Sequence, residues 1–336
     1  MKTQQIKRLK ISQGGFTLLE LLVVITLIAA LAVGALIAYD RVGDQGQAVA
    51  AADANVKVDN AIRQYKAVTL VYPNQWDNLA AHEAEALISV LPLQLRGNSV
   101  ADNGPLSPNL IAPLTLGAAA TNVAASLGRA GITELQYWIS PDAANNGGVN
   151  HNLAHNESFN PVNAREHEHF ENGLPTTDLI TNISVVPGIT GCAADSVTIP
   201  ATLGINRGSD TGSLAGLNWI QNRFSDALEQ DECHLVVALG FGSDAAASTT
   251  VNSSVAISKA PSFAKTDPII PAHNVNPNQH YSRYIGLFLV GSDGANGGTE
   301  DNNITGNEYL NKARLLTIIA PDGTIADQNL AEAAQR

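Results

Sequence analysis

Glu20 is the acid in GGFTLLELLVVITLIAAL, residues 14–31, a run otherwise free of charge. A carboxylate in hydrocarbon is costly unless a cation or a proton neutralises it, so this residue calls for a positive partner. Four histidines fall in HNLAHNESFNPVNAREHEHF. His151 and His155 would share a helical face, and His167 and His169 a strand face, the pairing that a zinc or copper site uses. Proline and asparagine in that segment work against a preformed helix, and solvated loop histidines are the expected reading. ALGFGSDA spaces Gly240, Gly242 and Ala245 as GxGxxA. A dinucleotide site would need a helix opening there and an acid about 20 residues on; AAASTTVNSS reads as a poor helix and Lys259 and Lys265 lie downstream, so a strand-ending turn is expected. GSDGANGGTEDNN, residues 291–303, gathers Asp293, Asn296, Glu300 and Asp301 among glycines, hard oxygen ligands that suit calcium outside the cell, although no EF-hand spacing is present. The expectation is an ordinary turn and no cofactor, with calcium at this turn the one candidate. No GxSxG, HExxH, Walker loop or CxxC occurs, so no catalytic residue is assigned and an enzyme is not expected.

The bulk composition bounds the elements that must hold these groups. At 336 residues and 45% hydrophobic, the chain can bury a core, and its length alone admits two or three domains. Only 15% is charged and 5% aromatic, with 28 glycines, which points to a loop-rich, small-residue surface. The net charge of -12 is unevenly placed, because Lys2, Lys7, Arg8 and Lys10 all precede Gly15. Without those four, 15 basic residues face 31 acidic ones, a poor surface for a polyanion, so direct nucleic-acid binding is not expected. Cys192 and Cys233 lie far from any zinc spacing; in an oxidising compartment they would pair and close a long loop, and in a reducing one they would be buried thiols.

The N-terminus decides the compartment. Residues 1–13 are polar and basic, and residues 21–38 carry no charge. As a helix, residues 16–39 would extend about 36 Å, enough to cross a hydrocarbon layer of about 30 Å. The basic residues would keep the N-terminal side in the cytoplasm and send everything after Tyr39 outward. A secretory signal places its small-residue cleavage site after the apolar run, whereas here Gly14-Gly15 precedes it.

That order, with GGFTLLELLVVI itself, resembles the type IV prepilin signal of the type IV pilin and pseudopilin superfamily. The likeness is close over about the first 40 residues and looser to about Lys66. It implies a prepilin peptidase that cuts between Gly15 and Phe16 and methylates the new amine of Phe16. Glu20 would then be the fifth mature residue, paired with the Phe16 ammonium of an adjacent subunit. The plainer alternative is an early-helix acid favoured by the helix dipole. The resemblance divides the chain into a leader (1–15), a transmembrane or filament-core helix (16–39), an amphipathic half-helix (40–70) and an extracytoplasmic globular domain (71–336). Many major pilins carry a proline between the two halves of this helix; residues 31–39 have none, and Gly34 to Gly46 is where bending or melting is expected.

The expected fold is α+β and pilin-like, a long N-terminal α-helix packed against a C-terminal antiparallel sheet domain with large loops. In QAVAAADANVKVDNAIRQYK, Val49, Ala52 and Val56 form one apolar series and Val58, Ile62 and Tyr65 a second. Residues 77–95 read as a helix capped by Asp77, and residues 214–228 as another. Strands are expected at 183–186, 234–239, 254–257, 284–290 and 313–319, and residues 133–140 read as a strand or a short buried segment. The functional reading is a structural subunit of a type IV pilus-like filament that partners copies of itself, other pilins and the inner-membrane assembly machinery, and supports adhesion or motility. It would reside in the inner membrane before assembly and in an extracellular pilus or periplasmic pseudopilus afterwards. The alternatives are a type II secretion pseudopilin and a membrane-anchored extracytoplasmic metal-binding protein or enzyme.

Overall fold

The computed structural model describes residues 17–81, 85–97, 109–137, 168–169, 180–201, 219–225, 228, 232–252, 257, 259–266, 273–277, 279–328 and 331. Helix α1 runs from Leu18–Thr69, 52 residues and therefore about 78 Å at 1.5 Å per residue. It starts at a Thr17 cap and stops where Leu70 turns left-handed (φ 64°) and donates its backbone N–H to the Lys66 carbonyl. The helix is continuous through Gly34, Gly43 and Gly46, so the melting expected there does not occur. Glycine costs only about 1 kcal/mol in a helix interior, too little to break a long cooperative element that contains no proline.

The two halves of α1 have opposite environments. No part of the apolar segment Leu18–Leu36 is buried, whereas Ala51, Ala52, Asn55, Val58, Ile62 and Tyr65 form a buried stripe on the body. The second apolar series of the sequence is therefore the seated one. Of the first, Ala52 is buried but Val49 and Val56 are exposed, because the stripe drifts around the helix through Ala51 and Asn55.

After α1 come β1 (Trp76–Asn78), α2 (Leu93–Arg96), β2 (Ala112–Thr115), α3 (Ala120–Arg129), β3 (Glu134–Tyr137), β4 (Glu168–His169) and β5 (Asn182–Val186). There follow β6 (Ala193–Ala194), β7 (Val197–Thr198), α4 (Trp219–Phe224), β8 (His234–Gly240), α5 (Ser243–Asn252), β9 (Ile285–Ser292), β10 (Asn303–Ile304) and β11 (Tyr309–Ile319). Eight strands form one sheet in the order β11-β9-β8-β1-β3-β4, with β5 also paired to β8 and β2 to β5. Strand β8 thus serves two neighbours along one edge, β5 at Val236 and Val237 and β1 at Leu239 and Gly240. A small sheet places β6 between β10 and β7.

The sheet is mixed rather than antiparallel throughout, since β1 and β3 run parallel, with Trp76 opposite Leu135 and Asn78 opposite Tyr137. The chain between them includes β2 and α3, and a crossover of that kind is what a parallel pair requires. The helix expected at 77–95 is also corrected: its start is strand β1, and only Leu93–Arg96 is helical among its described residues. Expected strands 183–186, 234–239 and 284–290 correspond to β5, β8 and β9, and β11 begins earlier than residue 313. Residues 254–256 lie outside the described residues.

Both faces of the sheet are buried. Leu235, Val237 and Leu239 of β8 face the core shared with α1 and α3, while Val236 and Ala238 face a second core with Leu79, Leu95 and Phe224. Double burial is why HLVVALG reads as a continuous apolar run rather than an alternating one. Trp76 anchors the first core, fully buried with its ring edge-on to Phe241 and Phe288 at 5.2 and 5.0 Å. Side chains from the helical layer bond the backbone of the edge strand β11. Arg63 Nη2 donates to the Leu316 carbonyl (3.0 Å), Arg129 Nε to the Asn311 carbonyl (2.6 Å), and Leu315 N–H to Tyr72 Oη (2.8 Å).

Candidate assembly site: the exposed helix and its capped acid

The first turn of α1 is closed by Thr17-Leu18-Leu19-Glu20, a capping box. Glu20 N–H donates to Thr17 Oγ1 at 3.2 Å; in return Glu20 Oε2 accepts from Thr17 N–H at 3.1 Å and from the Thr17 hydroxyl at 3.2 Å. In the single chain the carboxylate is thus satisfied locally, at the positive end of the helix dipole, which is the plainer alternative set out from the sequence. All these groups are exposed, and the bonds are open to exchange for a stronger charged partner. Gly15 and Phe16, the expected cleavage and methylation positions, lie outside the described residues. The T-x-x-E spacing made Thr17 legible as a cap; it was the residue missed at this site.

Beyond Glu20 the segment to Leu36 offers no polar face. Leu21, Leu22, Val23, Leu27, Leu31 and Leu36 are all more than half exposed, and at 100° per residue they look in every direction around the helix. An apolar surface that surrounds a helix cannot seat on one side of a globular body; it fits lipid or a bundle of like helices.

Cys192 and Cys233 form a disulfide with Cα atoms 5.3 Å apart across a separation of 41 residues, both fully buried. The bridge joins the small sheet to the start of β8, and the Asp293 N–H donates to the Cys233 carbonyl (2.9 Å) to hold the turn after β9 against it.

In that turn the acids point at backbone donors. Asp293 accepts from the N–H groups of Asp301 (3.3 Å) and Asn302 (2.8 Å), and Asp301 Oδ1 accepts from Asn303 N–H (3.0 Å). Asn296 donates to the Asn307 carbonyl (2.7 Å). Buried Glu308, which the sequence reading passed over, accepts from Gly294 N–H (3.0 Å) and Thr305 N–H (2.7 Å). Glu300 packs its stem against Gly294. Among the described residues no three His, Cys, Asp or Glu side chains gather as a metal-ligand group. His151, His155 and His167 lie outside the described residues; His169 is in β4.

At ALGFGSDA the structure corrects one expectation and gives the glycines another purpose. Residues 243–252 do form helix α5. A Cβ at Gly240 would lie 1.8 Å from Tyr281 Oη, and one at Gly242 2.3 Å from Asp77 Oδ2. The space before the helix is filled by the chain's own carboxylate, to which Tyr281 Oη donates at 2.6 Å. Burial, and then the neighbouring Asp77 charge, push the Tyr281 phenol well above the ordinary tyrosine range.

Residues 10–36 match the prokaryotic N-terminal methylation motif. The chain therefore carries the type IV pilin signal and is pilin-like or pseudopilin-like in its N-terminal segment, with an apolar helix suited to membrane anchoring. The motif implies processing by prepilin peptidase. Comparison with curated proteins and with solved structures gives no match.

Proposed function

We propose that this protein is a structural subunit of a type IV pilus-like filament, pilus or pseudopilus, held in the inner membrane by α1 until it is assembled. The observation that carries this reading is the apolar segment Leu18–Leu36, unburied on every side and lying within the methylation motif. Cleavage after Gly15 removes the basic leader and leaves Phe16 with a new ammonium group. The segment then leaves lipid for a bundle of identical helices, where packing replaces lipid contacts. Glu20 gives up its bonds to Thr17 and pairs with the Phe16 ammonium of a neighbour, which fixes the stagger of one helix against the next. The disulfide fits a body exported to an oxidising compartment.

Two substitutions separate pairing from capping. Glu20→Gln keeps the capping box, because glutamine serves at that position, and removes the charge. Thr17→Ala removes the cap and keeps the charge. Glu20→Gln should leave membrane insertion intact while reducing surface filaments at least tenfold, and Thr17→Ala should still assemble. Filaments of Glu20→Gln equal in number to wild type would defeat the pairing.

A further inference from the structure

A cleft of ≈ 150 Å³ opens where α1 meets the end of β11 and the C-terminal turn. A cavity of that size can hold a molecule of about six non-hydrogen atoms. Val56, Ile318 and Ile325 give the cleft an apolar wall, and Asn55, Asp59 and Asp327 give it polar groups. Two polar atoms of that lining are buried and unmatched, one a donor and the other an acceptor. Asn55 is only 2% exposed, and its Nδ2 has no hydrogen-bond partner among the described residues. Asp59 Oδ1 has none either, its other oxygen being held by Arg63 Nε at 2.8 Å. The two residues stand one turn apart on α1, which sets their side chains next to each other. A buried polar atom left unmatched costs free energy that a ligand can recover.

We infer that this cleft binds a short aliphatic primary carboxamide, free or carried on a glutamine side chain. The carbonyl oxygen of the amide accepts from Asn55 Nδ2, one of its N–H groups donates to Asp59 Oδ1, and its alkyl stem lies on Val56, Ile318 and Ile325. Neighbouring chemistries each fail on one count. An ammonium has donors alone, so it would leave Asn55 Nδ2 unmatched and would meet the Arg63 guanidinium already on Asp59. A carboxylate would satisfy Nδ2 but would face Asp59 and the exposed Asp327, both of like charge. Water can bridge the two polar atoms, but it leaves the apolar wall wet. An uncharged amide carries a donor and an acceptor side by side, the complement of what the cleft presents. Nothing in this contact depends on assembly into a filament.

The test follows the melting of the full chain in detergent by tryptophan fluorescence, with butyramide, n-pentylammonium chloride or sodium butyrate added, molecules of about six non-hydrogen atoms each. A ligand this small binds at about the millimolar level. At about ten times its dissociation constant butyramide should raise the melting temperature by about 3–6 °C, and the two ions by less than about 1 °C beyond equal sodium chloride. Asn55→Leu keeps the volume and removes the unmatched donor, so it should melt at or above the wild type on its own and lose the butyramide shift. Ile325→Phe leaves both polar groups in place and fills the cleft from the side of the C-terminal turn; it should lose the shift as well. If Nα-acetylglutamine methylamide shifts the wild type as far as butyramide does, the source of the amide is a protein's glutamine, and if butyramide alone acts, the source is a free amide. Absence of a butyramide shift, which would mean that water suffices there, would overturn the site. So would a larger shift with either ion, or an undiminished one in Asn55→Leu.

Discussion

Opening the Cys192–Cys233 bridge should cost this protein a large part of its stability. A bridge across 41 residues removes loop-closure entropy from the unfolded chain worth about 4 kcal/mol at 25 °C on the chain-entropy model. Domains are typically stable by only about 5–15 kcal/mol, so the effect is a major fraction of the total. For a body of this size a kilocalorie moves the melting point by about 2–4 °C, which gives a fall of about 8–16 °C. Reduction of the wild type leaves every buried atom in place and isolates the loop effect. The Cys192→Ala, Cys233→Ala double variant adds a small void at two fully buried positions and should lose somewhat more. Urea unfolding of the full chain in detergent, followed by tryptophan fluorescence to which the buried Trp76 contributes, measures both. A reduced wild type within about 1 kcal/mol of the oxidised form would show that the loop is already ordered without the bridge, and would refute the argument.

Two further outcomes are expected. Mass spectrometry of the mature protein should find a chain that begins at a methylated Phe16, and an intact Met1 terminus would exclude prepilin processing. Burial and nearby acids raise the phenols of Tyr281, Tyr284 and Tyr309, so above pH 10 the folded chain holds protons that the unfolded chain releases. Their contribution is complete below pH 10 and is lost as the pH rises through the folded values. Urea midpoints should therefore fall above pH 10, with tyrosinate absorbance at 295 nm appearing together with unfolding; free titration of all seven tyrosines near pH 10 in the folded state would contradict this.

The helix α1 was legible because its signals are local: a basic leader, a diglycine, T-x-x-E and a long apolar run. Strands β8 and β9 were legible because burial on both faces makes them continuous apolar runs. Strand β1 was not. Its residues Trp76, Asp77 and Asn78 have two polar side chains whose partners, Tyr281 and the Asn182 carbonyl, lie 204 and 104 residues away. Asp77 was read as the cap of a helix in its own neighbourhood, and it does stand before a helix, α5, more than 160 residues later. The acids at 291–303 had the composition of a cation loop, but composition does not reveal that Asp293, Asp301 and Glu308 face backbone N–H groups.

The side chains that Arg63, Arg129 and Tyr72 lay on β11 bear on how such a molecule avoids unwanted polymerisation. A sheet margin left open invites strand-to-strand addition, the route to amyloid-like aggregates, and crowding along a fibre raises that risk. With several backbone groups of this margin occupied by residues from helices α1 and α3 and the turn after α1, the sheet is blunted as a template. In the filament proposed above, copies could then accumulate at high local density while growth is left to the contacts that proteolytic maturation regulates.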